Sequence, residues 1–335
     1  MYIASYVQPK LSFPFEGEIN PHADIAERHS MDWVRHFDLL KTSSAFKKFD
    51  AGKFWLFSAM AYPTISQEDL LLTSDWMGWL FIQDDHFDES RVGRQTRRMQ
   101  SYVEAALSHL RQPRLATVRE DGALLASLSE LWQRLRIRMD TDLAARFIMS
   151  FESYTTGCLW ELENRAYGYI PTENEYIAIR RDTSGFRPCA LMIEMTMGES
   201  LPPLAREHPI VRRMQDLTND VLSWTNDLFS VEKEAKRKDI HNLVIILHHN
   251  NNMTLQEAID TVAMRIDNAV QQFIELETAL PIFTPETNTL VTRYVAGLKS
   301  WMSANLAWSI MTGRYGRAQT QADDAQDADL DTAAG

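Results

Sequence analysis

Apolar positions in this chain recur three and four residues apart over most of its length, and alternating β-branched runs are nearly absent. That period is helical. It predicts a helix over about 22–40, shorter helices over 45–61, and one running from 66 into an acidic cluster. Amphipathic helices are predicted over 94–110, 122–139 and 142–167. A helix over 172–181 is interrupted by Thr183-Ser184-Gly185-Phe186-Arg187-Pro188 and resumes through 197. Pro188 biases Arg187 away from helix, and Gly185 permits a turn closed to other residues. Further helices are predicted over 208–238, 240–249, 254–280 and 287–312, and Thr254 with Glu257 has the spacing of a capping box. Residues 11–21 read as extended, with Pro14 and Pro21 as breakers. After Arg317 the chain is rich in Gln, Ala, Asp and Thr with no apolar face, so a disordered tail is expected. No repeat or linker interrupts 22–312. The expected organisation is an extended segment at 1–21, one all-α domain at 22–316, and a tail at 317–335.

The bulk numbers narrow the partners. Of 335 residues, 45% are hydrophobic, enough for a sizeable core. A net charge of -12 argues against nucleic acid. Cys158 and Cys189 form neither a disulfide framework nor a zinc spacing, which suits a reducing cytoplasm. The N-terminus lacks a basic region followed by an apolar core, so no signal peptide is expected. No apolar run reaches the roughly 20 residues of a membrane span.

Two polar constellations carry candidate chemistry. Asp84-Asp85-His86-Phe87-Asp88-Glu89 places four carboxylates in six residues, directly after the apolar run 76–82. Acids at the edge of a buried space repel unless cations hold them, and magnesium with carboxylates points to a phosphate-bearing substrate. Further on, Asn226, Ser230 and Glu234 stand at i, i+4 and i+8, one oxygen-bearing column on one helix face. Such a column can chelate a hard cation, and Lys233 beside it could add a phosphate contact. Each cluster alone is more often solvated surface. Together, each following apolar residues, they suggest two helices gripping one diphosphate through cations.

The two motifs together resemble the class I terpene synthases. Asp84 to Glu89 looks like the family's aspartate-rich motif, and Asn226-Asp227-Leu228-Phe229-Ser230-Val231-Glu232-Lys233-Glu234 looks like its Asn/Ser/Glu motif. Arg180 occupies the place of the family's diphosphate-sensing arginine, upstream of the helix break, with Arg181 as the alternative. Arg314-Tyr315 matches the pair that ends the family's last helix. The four elements occur in order across about residues 10–317, and the likeness is to the single-domain bacterial type. With so little chain before the first predicted helix, no additional βγ domain is expected.

The resemblance implies an α-helical bundle around a central cavity, three Mg²⁺ ions and an isoprenoid diphosphate substrate; related enzymes are often dimers, so both a homodimer and a monomer stay open. Asp84 would hold two ions, supported by Asp88 or Glu89 directly, through water or through a salt bridge to Arg314. Asn226, Ser230 and Glu234 would hold the third. Arg180, Lys233, Arg314 and Tyr315 would bind diphosphate oxygens, and the backbone at Ser184 would face the reacting chain. Phe81 and Trp308 are the expected aromatic faces toward a carbocation, with Phe57 and Trp79 behind them. The reaction implied is ionisation and cyclisation of an isoprenoid diphosphate, farnesyl diphosphate being favoured over geranyl or geranylgeranyl diphosphate. A chain-elongating prenyltransferase is disfavoured, because it would carry two aspartate-rich motifs. The competing class is a non-catalytic helical interaction protein with solvated acidic faces. His241, His248 and His249 are expected at solvated helix ends, and 91–98 as a solvated basic face.

Overall fold

The computed structural model describes residues 6–88, 95–112 and 114–315, with Phe87, Asp88 and Gln95 described by backbone alone. Glu89, residues 91–94 of the basic stretch and the expected tail lie outside the described residues. Among the described residues the chain is all α, with no strand. In chain order the helices are α1 (Ala23–His36), α2 (Ser43–Gly52), α3 (Phe54–Ala61), α4 (Gln67–Asp88), α5 (Gln95–Arg111), α6 (Val118–Asp121), α7 (Ala123–Arg136) and α8 (Thr141–Tyr167). They continue as α9 (Glu173–Thr183), α10 (Phe186–Met197), α11 (Pro203–Arg206), α12 (Pro209–Arg237), α13 (Leu243–Asn250), α14 (Leu255–Thr278) and α15 (Pro285–Met311). A single 3₁₀ turn follows at Gly313–Tyr315.

The helices start where side chains satisfy free backbone N–H groups. Thr254 and Glu257 form the expected capping box of α14, and Thr172 with Glu175 forms a second at α9. Asp140, Thr284 and Asn242 cap α8, α15 and α13. The short α6 and α11 were not legible in the period, since four residues are barely one turn.

The middle of helix α4 is buried in the core. Leu70, Leu72, Trp76, Met77, Trp79 and Leu80 are all buried, although they point around the helix. A helix apolar on every side must be surrounded, and α4 packs against α1, α3, α7 and α8. Helix α12 instead buries one stripe, including Val211, Met214, Leu217, Val221, Leu228 and Val231, against α14 and α15.

Two backbone breaks shape what these helices enclose. Between α2 and α3, Lys53 takes a left-handed conformation at φ 47. The break leaves the Gly52 carbonyl free to accept from Trp308 Nε1 at 2.8 Å and Thr312 Oγ1 at 3.0 Å, which anchors the end of α15. Between α9 and α10, Gly185 sits at φ 69, and a Cβ there would lie 2.9 Å from Leu80 Cδ2. Glycine is therefore required twice over, by conformation and by space. The residues before α1 strap across the bundle. Val7 exchanges hydrogen bonds with Gln256 of α14, and Phe15 meets Phe273 edge-on at 6.0 Å.

Candidate active site

A cavity opens between α3, α4, α8, α9, α10, α12 and α15. Its wall includes Phe57, Phe81, Phe186, Trp301 and Trp308, and its mouth carries Asp84, Arg180 and Asn226. Phe81 lies three residues before Asp84 on α4, so one helix face presents an aromatic ring inside and a carboxylate at the rim. Phe57 stacks on Trp308 with centroids 4.9 Å apart and 11° between planes. Trp308 also lies 5.2 Å from Phe81, and Phe186 meets Trp301 at 5.2 Å. Trp79 corrects one expectation. It stacks on Trp76 and donates to the Leu124 carbonyl, on the side of α4 turned from the cavity. Within the cavity wall, Thr183 Oγ1 and Asn305 Oδ1 are buried without a hydrogen-bond partner.

The column on α12 is present as expected. Asn226 Oδ1 accepts from Arg180 Nη2 at 2.9 Å, and Asn226 Nδ2 donates to the Tyr315 hydroxyl at 2.5 Å. Ser230 Oγ donates to the Asn226 carbonyl one turn back at 2.7 Å. Glu234 Oε2 accepts from Asn242 Nδ2 at 2.7 Å. Burial, with the nearby charges of Asp227 and Asp239, pushes the Glu234 carboxyl up to about 7. Asp84 is also raised, by desolvation first and by its neighbour Asp85, against the pull of Arg314.

This chemistry fits a hard cation. Among the described residues no three His, Cys, Asp or Glu side chains group as a metal site. The α12 set instead combines an amide oxygen, a hydroxyl and a carboxylate, all oxygen donors of the kind magnesium accepts. Burial is the largest cause of the Glu234 shift, while the nearby Asp227 and Asp239 charges add a negative field that would favour a cation.

The arginine assignments separate cleanly. Arg180 turns into the site, bonding Asn226 and, at 3.3 Å, Asp227 Oδ1. Arg181 turns away and forms a two-pronged pair with Asp220 at 2.8 Å on each arm. A salt bridge from Arg314 was one of three expected ways for Asp88 or Glu89 to support Asp84, and those two side chains lie outside the described residues. Among the described side chains, Arg314 pairs with Asp85, at 2.9 and 3.1 Å, and with Asp84, at 3.2 Å. The physical reason is direction: the fork of Arg314 lies over the Phe81 ring, 4.9 Å from its centroid, which aims it at the last turn above Phe81. Arg314, against the opposing effect of burial, holds the Asp85 carboxyl below its ordinary range. Lys233 acts electrostatically on both Asp84 and Asp85.

Ser184 ends α9, and its Oγ donates to Asn219 Oδ1 at 2.7 Å, while Asn219 Nδ2 donates to the Arg181 carbonyl at 2.7 Å. Asn219 is two turns before Asn226, so α12 fixes the helix break and presents the polar column with the same face. Behind Arg180, Tyr176 donates to Asp227 Oδ2 at 2.7 Å, and the Leu243 N–H donates to the same oxygen at 2.9 Å. Asp85, Tyr176, Asn219 and Asn242 were not singled out from sequence. Asn242 carried a cap signal before an apolar run; Tyr176 stands one turn before Arg180, a spacing too common to notice. His241 corrects another expectation: it is buried, against Asp239 at 3.0 Å and Asn164. His249 is exposed, as expected, and His248 is half-buried on the Met253 carbonyl.

Arg314 and Tyr315 are consecutive residues, and they reach the two clusters separately, Arg314 to α4 and Tyr315 to α12. Both clusters and Arg180 also fall within residues 75–272, which match the terpene synthase family 2, C-terminal metal-binding region. The chain belongs to the terpene synthase family. A germacrene A synthase from Nostoc punctiforme is 33% identical over 92% of this chain and 94% of its own length. A (+)-T-muurolol synthase from Roseiflexus castenholzii, named as cyclising (2E,6E)-farnesyl diphosphate, is 35% identical over 91% of this chain and 93% of its own. Among solved structures, the germacradien-4-ol synthase of Streptomyces citricolor superposes with a TM-score of 0.78 at 25% identity, covering 89% of this chain and 99% of that one. An α-eudesmol synthase reaches 0.82 at 23% identity over 91% and 100%, which supports the fold. This terpene synthase therefore has the helical bundle and metal-binding region of its family. No helix among the described residues is long and apolar enough to cross a membrane.

Proposed function

We propose that this terpene synthase ionises farnesyl diphosphate with magnesium and cyclises the resulting allylic cation to a sesquiterpene, within a catalytic domain spanning about 22–316. The observation that carries the reading is the bridge made by Arg314 and Tyr315 between the Asp84 rim and the Asn226 column. Two oxygen-rich clusters and three basic groups, Arg180, Lys233 and Arg314, converge at the mouth of an aromatic cavity. The farnesyl chain length is supported by the names of the relatives, which include germacrene A and muurolol synthases.

Asp84, with support from Asp88 or Glu89, would hold magnesium on α4, and Asn226, Ser230 and Glu234 would hold it on α12; three ions are expected in all. Bound magnesium neutralises the diphosphate and makes it a better leaving group. Arg180, Lys233, Arg314 and Tyr315 donate to its oxygens, and arginine suits that contact because its fork matches two oxygens at once. The carbon–oxygen bond breaks with both electrons leaving on diphosphate, and the allyl cation remains in the cavity. Phe57, Phe81 and Trp308 then offer ring faces that stabilise positive charge without reacting with it. With diphosphate bound, the latch of Arg314 and Tyr315 across the mouth would keep out water, which would otherwise trap the cation.

The test is incubation of purified protein with geranyl, farnesyl and geranylgeranyl diphosphates and Mg²⁺, with products identified by mass spectrometry. Cyclic C15 products from farnesyl diphosphate, lost on adding a chelator, are expected. Turnover of only the C10 or C20 substrate would overturn the chain-length assignment. Absence of pyrophosphate release from all three, together with no thermal shift by Mg²⁺ and pyrophosphate, would favour a non-catalytic protein.

A further inference from the structure

Asn242 lies outside both motifs, yet its side chain donates to two residues of one of them, Asp227 and Glu234. It is fully buried, five residues past the end of α12 and at the start of α13. Lys238 takes a left-handed turn at φ 59, and the Asp239 N–H returns to the Glu234 carbonyl at 2.9 Å. The chain thereby doubles back and lays Asn242 against the last turns of α12. Its Nδ2 donates to Glu234 Oε2 and to the Asp227 carbonyl, both at 2.7 Å. Its Oδ1 accepts from the Val244 N–H at 2.9 Å and the Ile245 N–H at 3.4 Å, capping α13.

These contacts leave the amide only one orientation. Turned over, it would set Oδ1 against a carboxylate and a carbonyl, and its NH₂ against two backbone donors. The side chain is thus held rigidly by α13 while it grips one oxygen of Glu234. Within the column the same carboxyl group also lies within hydrogen-bonding reach of Ser230. We propose that Asn242 is a positioning residue, which locks the Glu234 carboxylate into the direction needed to bind magnesium. The proposal rests on the reading of Glu234 as a magnesium ligand. A second-sphere donor of this kind acts by fixing the ligand before the ion arrives, and its loss typically weakens metal binding roughly 10–100-fold.

Capping and positioning can be separated, because they use different atoms. Asn242→Ser keeps a hydroxyl that can cap α13 but loses the paired NH₂ donors. Asn242→Asp keeps a stronger cap and places an acceptor where Glu234 needs a donor. Magnesium binding would be titrated calorimetrically in the presence of inorganic pyrophosphate for wild type, both variants and Glu234→Gln, alongside unliganded melting curves. The steady-state KM for Mg²⁺ would be compared with kcat. The expected result is a roughly 10–100-fold weaker magnesium affinity for Asn242→Ser and Asn242→Asp. KM for Mg²⁺ should rise more than kcat falls, and each protein should still melt cooperatively. Wild-type affinity in both Asn242 variants with loss in Glu234→Gln would overturn the positioning role and leave Asn242 a helix cap. Wild-type affinity in Glu234→Gln would overturn the magnesium assignment itself, and the proposal with it.

Discussion

At the scale of single residues, the site depends on oxygen atoms that the fold orients rather than on residue types alone. Asn226 shares its amide between Arg180 and Tyr315, and Ser230 bonds the Asn226 carbonyl. Asn226→Ala or Glu234→Ala should abolish turnover and leave the helical circular dichroism intact; wild-type activity in either would refute the column as a ligand set. Trp308 is a harder case. Its ring faces the cavity, but its indole N–H also anchors α15 to the Gly52 carbonyl. Trp308→Ala would cost about 3–5 kcal/mol by the cavity it leaves, confounding a product assay. Trp308→Phe keeps a ring face and loses only the hydrogen bond and part of the volume. Its expected effect is an altered product mixture with unchanged magnesium dependence. An unaltered profile would remove Trp308 from the list of cation-facing groups.

At the scale of elements, helix ends and breaks matter more than helix middles. The α9–α10 break brings Ser184 to the cavity and requires Gly185 in a left-handed turn against Leu80. Gly185→Ala should cost about 1–2 kcal/mol from backbone conformation alone, with a further cost for moving Leu80. It should also lower kcat more than a loss of stability explains, since Ser184 moves with it; a melting-temperature drop with native kcat would contradict this. The α1–α4–α7 contact predicts a pH effect. His29 bonds the buried Asp75 carboxylate at 2.9 Å, and Arg134 bonds the same oxygen at 2.8 Å. The bond to Asp75 raises the His29 pKa above 6.5, against burial and Arg134, with help from Glu130. A pKa higher folded than unfolded stabilises fully below the unfolded value and loses that effect as pH rises through the folded one. The melting-temperature gap between wild type and His29→Gln should therefore be widest below pH 6.5 and shrink above it. A gap independent of pH would show that the ring contributes packing rather than charge.

At the scale of the whole molecule, segments far apart in the chain meet at the site. Arg314, far along the chain from α4, pairs with Asp84 and Asp85 while Tyr315 reaches α12. Arg314→Ala should lower the unliganded melting temperature, because loss of its largely buried guanidinium leaves Asp84 and Asp85 unpaired beside each other. The stabilisation by Mg²⁺ with pyrophosphate should fall markedly, since that complex needs the guanidinium between the clusters. Equal stabilisation in both proteins, read by differential scanning fluorimetry, would show that the latch has no part in ligand binding.

Much of this was legible in the chain itself. The 3.6-residue period, the caps at Thr254 and Asn226's regular column are local, and local spacing on a helix dictates which side chains share a face. Asp84 and Phe81 could be placed on one helix face for that reason, whereas the cavity side and the role of Arg180 followed from the family resemblance. What the chain alone left open concerns contacts between distant segments. The choice of Asp85 as partner of Arg314, the turning of Trp79 to the outer side of α4, and the burial of His241 each depend on what packs opposite. Asn242 shows the division most plainly. The predicted helix over 240–249 ran through it, whereas the structure makes it the cap of α13, and its grip on Glu234 exists only because the turn at Lys238 folds α13 back onto α12. Sequence determined the helices and the faces that carry chemistry. Tertiary packing decided which of those faces meet, because long-range contacts are chosen by the shape and charge of a neighbour that no local pattern encodes.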